Sequence, residues 1–256
     1  MDLENTGKLR SVLNSWLPET VATSAWLNAL NVSPQLTQRY VRSRWIVPLG
    51  SAAFKRPSEK VQWFGGVHSL QTQLKLPVHV GALTAISAHG ASHYLRMGHE
   101  TVYLFTPPNT RLPKWFVDYD WQSPVHHAAT NLLPEDIGLT VHSYGNIDVR
   151  ISTLERAILE CLYMSPEKAD LVECYEIAQG LLNLRPKLVQ ELLEACKSVK
   201  VKRLFLYMAE KAALPVFKNL NLATIYLGKG DRSLARTGLY DSKYGLILPE
   251  DLVKHE

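Results

Sequence analysis

TSAWLNALNVSPQLTQRYVRSRW, residues 23–45, spells two short helices and the turn between them. Thr23 can cap the first, which carries Ala25, Trp26, Ala29 and Leu30 at helical spacing. Asn31-Val32 makes the turn. Ser33 then caps a second helix, and Pro34 takes its first position, where a missing N–H costs nothing. Over PQLTQRYVRSR, Leu36, Tyr40 and Val41 can face inward. Gln35, Thr37, Gln38, Arg39, Arg42 and Ser43 then face out.

Upstream, Leu3, Leu9, Val12, Leu13, Trp16 and Leu17 mark another helix over residues 3–17, which Pro18 stops. Downstream come WIVPL, Gly50-Ser51 and AAFKR, two short apolar runs around a glycine turn, which read as a β-hairpin. Helix, helix, short turn, helix, hairpin is the order of a winged helix-turn-helix, with the hairpin in the place of the wing.

Beyond the hairpin, Gly65-Gly66 opens a helix over VHSLQTQLKL that ends at Pro77, and residues 66–80 read as a connection. GALTAISAHGASHYL is helix-like. ETVYLF, VHHAATNLL, GLTVHSY and IDVRIS read as strands. Ser152-Thr153-Leu154-Glu155 has the form of a capping box opening a helix through Met164. Helices follow over 167–182, 186–196 and 199–213, and ATIYLG and GLILP return to strands. The expected class is α+β. A winged helix-turn-helix occupies residues 1–76, and a larger mixed α+β domain occupies residues 77–256.

Charge divides the chain at the same place. Residues 1–76 carry nine Lys/Arg and four Asp/Glu, and the remainder carries 19 and 20, so the net charge of +4 lies wholly in the first third. A basic module joined to a neutral one points to an anionic partner, although small surface imbalances are common. No run of about 18 apolar residues suggests a membrane span, and MDLENTGKLR is not a signal peptide. Cys161, Cys174 and Cys196 are odd in number and scattered. That argues against a disulfide framework or a cysteine zinc site and suits a reducing cytoplasm.

The third helix bears the chemistry. Gln matches adenine and Arg matches guanine in the major groove. Gln35, Thr37 and Gln38 lie in the first half of the helix, where base contacts concentrate. Arg39, Arg42 and Arg44 follow, suited to phosphate or guanine, and Lys55 and Arg56 suit phosphate beside the wing. The bland reading is a solvated helix face, or a winged helix that binds protein.

Other constellations are weaker. His89 and His93 have a zinc-like spacing, but Gly90 stands where a metalloprotease helix needs its glutamate, and a structural role is expected. His126 and His127 are neighbours on a strand and point to opposite faces. Gly228-Lys229-Gly230 lacks the spacing of a phosphate loop, and Asp118 and Asp120 read as loop acids. Lys197, Lys200, Lys202 and Arg203 form a basic cluster between two helices, either a contact to phosphate or an acidic partner, or a solvated turn. No catalytic, metal or cofactor site follows from these residues.

Taken together the chain resembles the antitoxins of the abortive-infection type E (AbiE), type IV toxin–antitoxin systems. The resemblance rests on residues 23–45 and on LGSAAFKR, LPVHVGALTAISAHGASHYL, RLPKWF, STLERAILECLY, NLRPKLVQELLEACKSVKVKRLFLYMAEK and LGKGDRSL. It implies a repressor that binds inverted repeats in its own promoter. It also implies a C-terminal domain that counters a nucleotidyltransferase-like toxin without holding it in a stable complex. Glu155, Arg156, Lys200, Lys202 and Arg203, inside the stretches most like the family, are the candidates for the antitoxin activity. The competing classes are an enzyme acting on a small molecule or a modified toxin, and a protein-interaction module. Convergent His, Asp and Lys side chains in one C-terminal cleft would favour the enzyme.

Overall fold

Helix α1 (Leu3–Ser15) turns Leu9 and Val12 into a small core that also takes Trp16, Leu27, Val32, Tyr40, Ile46 and Phe54. The structure is a computed structural model, and it describes residues 3–91 and 101–255. After α1 come β1 (Ala22–Thr23), α2 (Ser24–Ala29), α3 (Pro34–Arg42), β2 (Val47–Gly50) and β3 (Ala53–Lys55). Both helix caps form as the sequence suggests. Thr23 accepts from the Trp26 amide and Ser33 from the Leu36 amide, each at 3.2 Å. The three strands pair antiparallel in the order β1-β3-β2, which completes a winged helix-turn-helix.

The small sheet has two covered faces. Ala22 and Phe54 look into the helical core, while their neighbours Val21 and Ala53 belong to the core of the large body. Helix α4 (Trp63–Thr72) supplies part of that second cover, and it begins two residues before Gly65. Ser69 Oγ accepts from the Val21 amide at 3.1 Å and donates to the Val21 carbonyl at 2.7 Å. A Cβ on Gly65 would lie 2.1 Å from the Glu19 carbonyl oxygen, so only glycine admits this approach. From its other side α4 reaches the large sheet. Gln71 donates to the Val78 and Arg150 carbonyls at 2.9 and 3.1 Å and accepts from the Arg150 amide at 2.9 Å. The stretch expected as a connection is thus packed against both units.

The large body is built on β4 (His79–Val80), α5 (Ala82–Ala88), β5 (Val102–Thr106), α6 (Lys114–Asp118), β6 (Val125–Ala129), β7 (Leu139–Tyr144) and β8 (Ile147–Ser152). Its sheet runs β6-β5-β4-β8-β7, with β5–β6 and β4–β8 parallel and the other pairs antiparallel. VYLFT in β5 is buried throughout, as a run of apolar residues covered on both faces requires. Helix α7 (Leu154–Met164) is buried along nearly its whole length and forms the centre. Around it pack α8 (Leu171–Gly180), α9 (Pro186–Ala195) and α10 (Val199–Lys211). A small sheet of β9 (Arg232–Ser233), β10 (Leu239–Asp241) and β11 (Leu246–Leu248) and a last helix, α11 (Glu250–Lys254), end the chain.

Two local expectations fail. ATIYLG is not a strand: a 3-10 turn occupies Leu222–Thr224 and the chain then runs on without strand pairing. The capping box does not form either. Thr153 is the N-cap of α7, Ser152 Oγ donates to Glu160 Oε2 at 2.8 Å, and Glu155 is taken by Arg185. Both carboxylates are drawn by partners distant in sequence, which a local motif does not register. The three cysteines are buried and free. Among the described residues, no helix is long and apolar enough to cross a membrane.

Candidate nucleic-acid interface

On α3, Gln35, Gln38, Arg39 and Arg42 stand at i, i+3, i+4 and i+7, so they share one face, and all four are exposed. Tyr40 is buried on the opposite face in the small core. Arg44 follows the helix with φ 57°, a left-handed residue that turns the chain toward β2 and leaves its own side chain exposed. Trp45 is next to it and 44% exposed. Among the described residues no acidic side chain pairs with Arg39, Arg42 or Arg44. A ridge of two amides and two guanidiniums, extended by Arg44, can meet base edges and phosphates together.

Three residues expected on this interface are placed otherwise. Thr37 does not face out. It is 5% exposed, and its hydroxyl donates to the Ser33 carbonyl at 3.1 Å. One turn of helix sets it between Ser33 and Tyr40, on the inner edge, where a threonine satisfies itself on the helix backbone. Lys55 is half-buried, and its ammonium donates to the Glu59 carbonyl at 3.1 Å. Arg56 lies under the end of α1. Its guanidinium donates to the Leu13 carbonyl at 2.8 Å and to the Trp16 carbonyl, and it sits over the Trp16 ring. It caps the unsatisfied carbonyls of α1. Lys55 and Arg56 therefore sit at the end of β3 away from the wing turn, and the turn itself, Gly50-Ser51-Ala52, carries no charge.

The wing is held from behind. A Cβ on Gly50 would lie 2.9 Å from Trp115 Cβ and 3.0 Å from Trp115 Cα, so α6 of the large body abuts the backbone of β2. Trp115 and Phe116 are buried in the large core, and a Cβ on Gly66 of α4 would meet Trp121 and Phe116.

Of the five residues expected to serve the antitoxin activity, Glu155, Arg156, Lys200 and Arg203 are engaged in structural contacts. Glu155 accepts from the Arg185 amide, Nε and Nη2 at 3.0, 2.9 and 2.9 Å, which ties the start of α7 to the start of α9. Burial alone would raise its pKa, but the hydrogen bonds from Arg185 outweigh burial and hold it at about 2. Arg156 donates to the Pro134 and Ile137 carbonyls at 2.5 and 2.7 Å and to Glu160 at 2.8 Å. Lys200 is half-buried at the end of α7, donating to the Tyr163 and Ser165 carbonyls. Lys202 and Arg203 are buried, at 4% and 6% exposure. Arg203 gathers the carbonyls of Leu227, Gly228, Gly230 and Gly245 and so holds the Gly228-Lys229-Gly230 turn, which is its role in place of phosphate binding. The basic cluster is dispersed: only Lys197 of its four members is exposed.

The most concentrated buried charge escaped the sequence. Glu160 on α7 accepts from His79 Nε2 at 2.9 Å, the Ala82 amide at 3.1 Å, Ser152 Oγ at 2.8 Å and Arg156 Nε at 2.8 Å. Burial lowers the pKa of His79, so the imidazole donates as a neutral ring and Arg156 supplies the compensating charge. These residues come from four separate elements, and no spacing announces them. The histidines serve similar ends. His89 Nε2 lies 2.9 Å from the Ser152 carbonyl, and His127 lies 2.8 Å from Thr106 Oγ1. His93 falls outside the described residues. A crevice of about 410 Å³ between β6 and the end of α7 gathers His126, Lys168 and Lys200. The Lys200 ammonium is already spent on helix carbonyls there.

Comparison with known proteins covers the whole arrangement. Residues 5–97 match the family described as transcriptional regulator, AbiEi antitoxin N-terminal domain. Residues 99–249 match that described as transcriptional regulator, AbiEi antitoxin, type IV toxin–antitoxin system. The crystal structure of the RV2827C protein from Mycobacterium tuberculosis superposes with a TM-score of 0.61 at 13% identity, covering 99% of this chain and 94% of that one. At that identity the likeness is one of fold. None of the curated proteins compared with the chain matches it.

Proposed function

Because the chain belongs to the family of AbiEi antitoxins, transcriptional regulators of type IV toxin–antitoxin systems, we propose that it binds duplex DNA through α3 and represses its own promoter at inverted repeats. The observation that carries this reading is the exposed face of Gln35, Gln38, Arg39 and Arg42, extended by Arg44. Gln35 and Gln38, in the first half of α3, read base edges. Arg39, Arg42 and Arg44 hold phosphates and fix the register. Residues 77–256 counter the partner toxin, a nucleotidyltransferase-like protein, without a lasting complex. Residues 1–76 carry the operator reading, and α4 works with both parts.

A mobility shift on the DNA upstream of the gene tests the first half of the proposal. With three arginines on phosphates, log K falls against log salt with a slope of about −2.7 per bound chain. Gln38→Ala costs about 1–3 kcal/mol at one base position and relaxes the preference there. Absence of binding to any duplex, the upstream DNA included, would overturn the reading. Arg39→Ala with Arg42→Ala in the full chain should abolish repression and leave protection against the co-expressed toxin intact. Loss of both together would refute the division of labour.

A further inference from the structure

The sheet of the large body ends in a strand whose outer side is open, and we infer that two copies of the chain pair there, β6 against β6 about a two-fold axis. β6 is the last strand of the order β6-β5-β4-β8-β7, and among the described residues no strand lies on its outer side. Its neighbour β5 is buried throughout, whereas every residue of β6 is at least partly exposed. The Pro124 carbonyl accepts from the Val102 amide, and the Thr130 amide donates to the Thr106 carbonyl, both at 2.8 Å. The even-numbered residues thus turn their backbone groups to β5. The alternate residues Val125, His127 and Ala129 turn theirs outward. Such a row of open donors and acceptors is a template for another strand. Soluble proteins commonly blunt it with lysine, an internal proline or a bulge, and the regularly paired VHHAA has none of these.

The open row is complementary to itself. Run antiparallel and centred on His127, it sets Val125 opposite Ala129 of the second copy and His127 opposite its own counterpart. All three are outward residues, so each pair exchanges both of its hydrogen bonds, in an isologous contact. The charges beside the strand agree. Asp120, with Val117, Tyr119 and Val125, lines a crevice of about 570 Å³ at the start of β6. Lys168 and Lys200 line the crevice beside Ala128 and Ala129, where Glu167 offsets one of them. Antiparallel pairing carries the start of one β6 past the end of the other, and so the acidic crevice toward the basic one. Val117, which is 64% exposed at the first crevice, gains cover. Ala128 and Ala129 are small and leave room for the incoming backbone. Burial holds the His127 imidazole below its usual pKa, so the two rings that meet near the axis are uncharged at neutral pH and do not repel. Five residues a side make a small contact, so the pair is weak and reversible. It stands independently of the reading of α3, and its symmetry matches the inverted repeats proposed above.

The test uses the full chain without DNA. In sedimentation equilibrium from low to high micromolar concentration, the apparent mass should rise from that of one chain toward that of two. Ala129→Pro removes an outward N–H and leaves the bonds to β5 in place. It should weaken the association by about tenfold or more, with the melting temperature where it was. Two further variants, Val125→Cys and Ala129→Cys, are made separately, and they read the register. The pairing sets these two positions about 5.5 Å apart across the axis, within reach of a disulfide. Under a mild oxidant an equimolar mixture should give a cross-linked pair, and neither variant alone should. The native cysteines are buried and stay out of this reaction. If Ala129→Pro melts early, the cysteine mixture decides. A chain that keeps the mass of one copy at every concentration would overturn the inference and leave the edge to a different protein. Association unchanged in a well-folded Ala129→Pro would overturn it too. So would cross-linking of either cysteine variant with itself, because the copies would then meet in another register or on another face.

Discussion

Replacing Glu155 with glutamine keeps the size of the side chain and removes its charge. The carboxylate takes three hydrogen bonds from Arg185, and its pKa falls from 4.5 to about 2 on folding. A shift of that size corresponds to about 3 kcal/mol at neutral pH. The Arg185 side chain is 62% exposed, so water screens part of the interaction, and about 2 kcal/mol is the expected loss. For a chain of this size that lowers the melting temperature by about 4–8 °C. The sign follows from the depressed pKa. The stability is fully present above the unfolded value near 4.5 and is lost as pH falls toward 2. Thermal unfolding of wild type and Glu155→Gln from pH 7 down to 3.5 should therefore show a gap that is constant above pH 5 and narrows below 4.5. Protection against the toxin, measured in cells well below the melting point, should persist. Two results would refute the reasoning: a gap that does not change with pH, or protection lost while the melting temperature stays put. The second would make the carboxylate a direct participant in neutralisation.

Arg56→Ala should cost about 1–3 kcal/mol, through the lost Leu13 and Trp16 carbonyl contacts, and leave the salt slope of DNA binding unchanged; denaturant unfolding and anisotropy on one sample read both, and the opposite pattern would return Arg56 to the DNA interface. Gly81→Ala places a Cβ 2.1 Å from Glu160 Oε2 and 2.6 Å from Phe105 Cδ2, atoms held by the core, so it should destabilise by about 1–3 kcal/mol or more; an unchanged midpoint in urea would show that the Glu160 network yields easily. Arg203→Lys should keep the charge but lose the forked reach to Leu227, Gly228, Gly230 and Gly245, at a cost of about 1.5–3 kcal/mol. Hydrogen exchange over residues 228–248 should then quicken, and unchanged protection factors there would contradict the anchoring role.

Much of the winged helix was legible in the sequence because its signals are local. Thr23 and Ser33 lie three residues before the amides they cap, Pro34 sits at a helix start, and the glycine turn separates two short apolar runs. The exposed ridge of α3 follows from helical periodicity alone. Thr37 was misplaced because a small polar residue at the border of a helix face gives no sign of its side, and its hydroxyl is content with the Ser33 carbonyl. What Lys55, Arg56, Lys200 and Arg203 do was not legible. A cation reads as a surface charge until tertiary structure brings a helix end or a glycine turn within its reach. Glu155 and Glu160 show the same limit for acids: Arg185 lies 30 residues from the first and His79 lies 81 from the second. The sequence by itself determined where α2 and α3 start, which face of α3 meets solvent and that a winged helix precedes a mixed α+β body, since those depend on neighbours within one or two turns. Only the tertiary structure decided which charges are buried and that α6 backs the wing, because burial and long-range pairing depend on elements that meet only once the chain has packed.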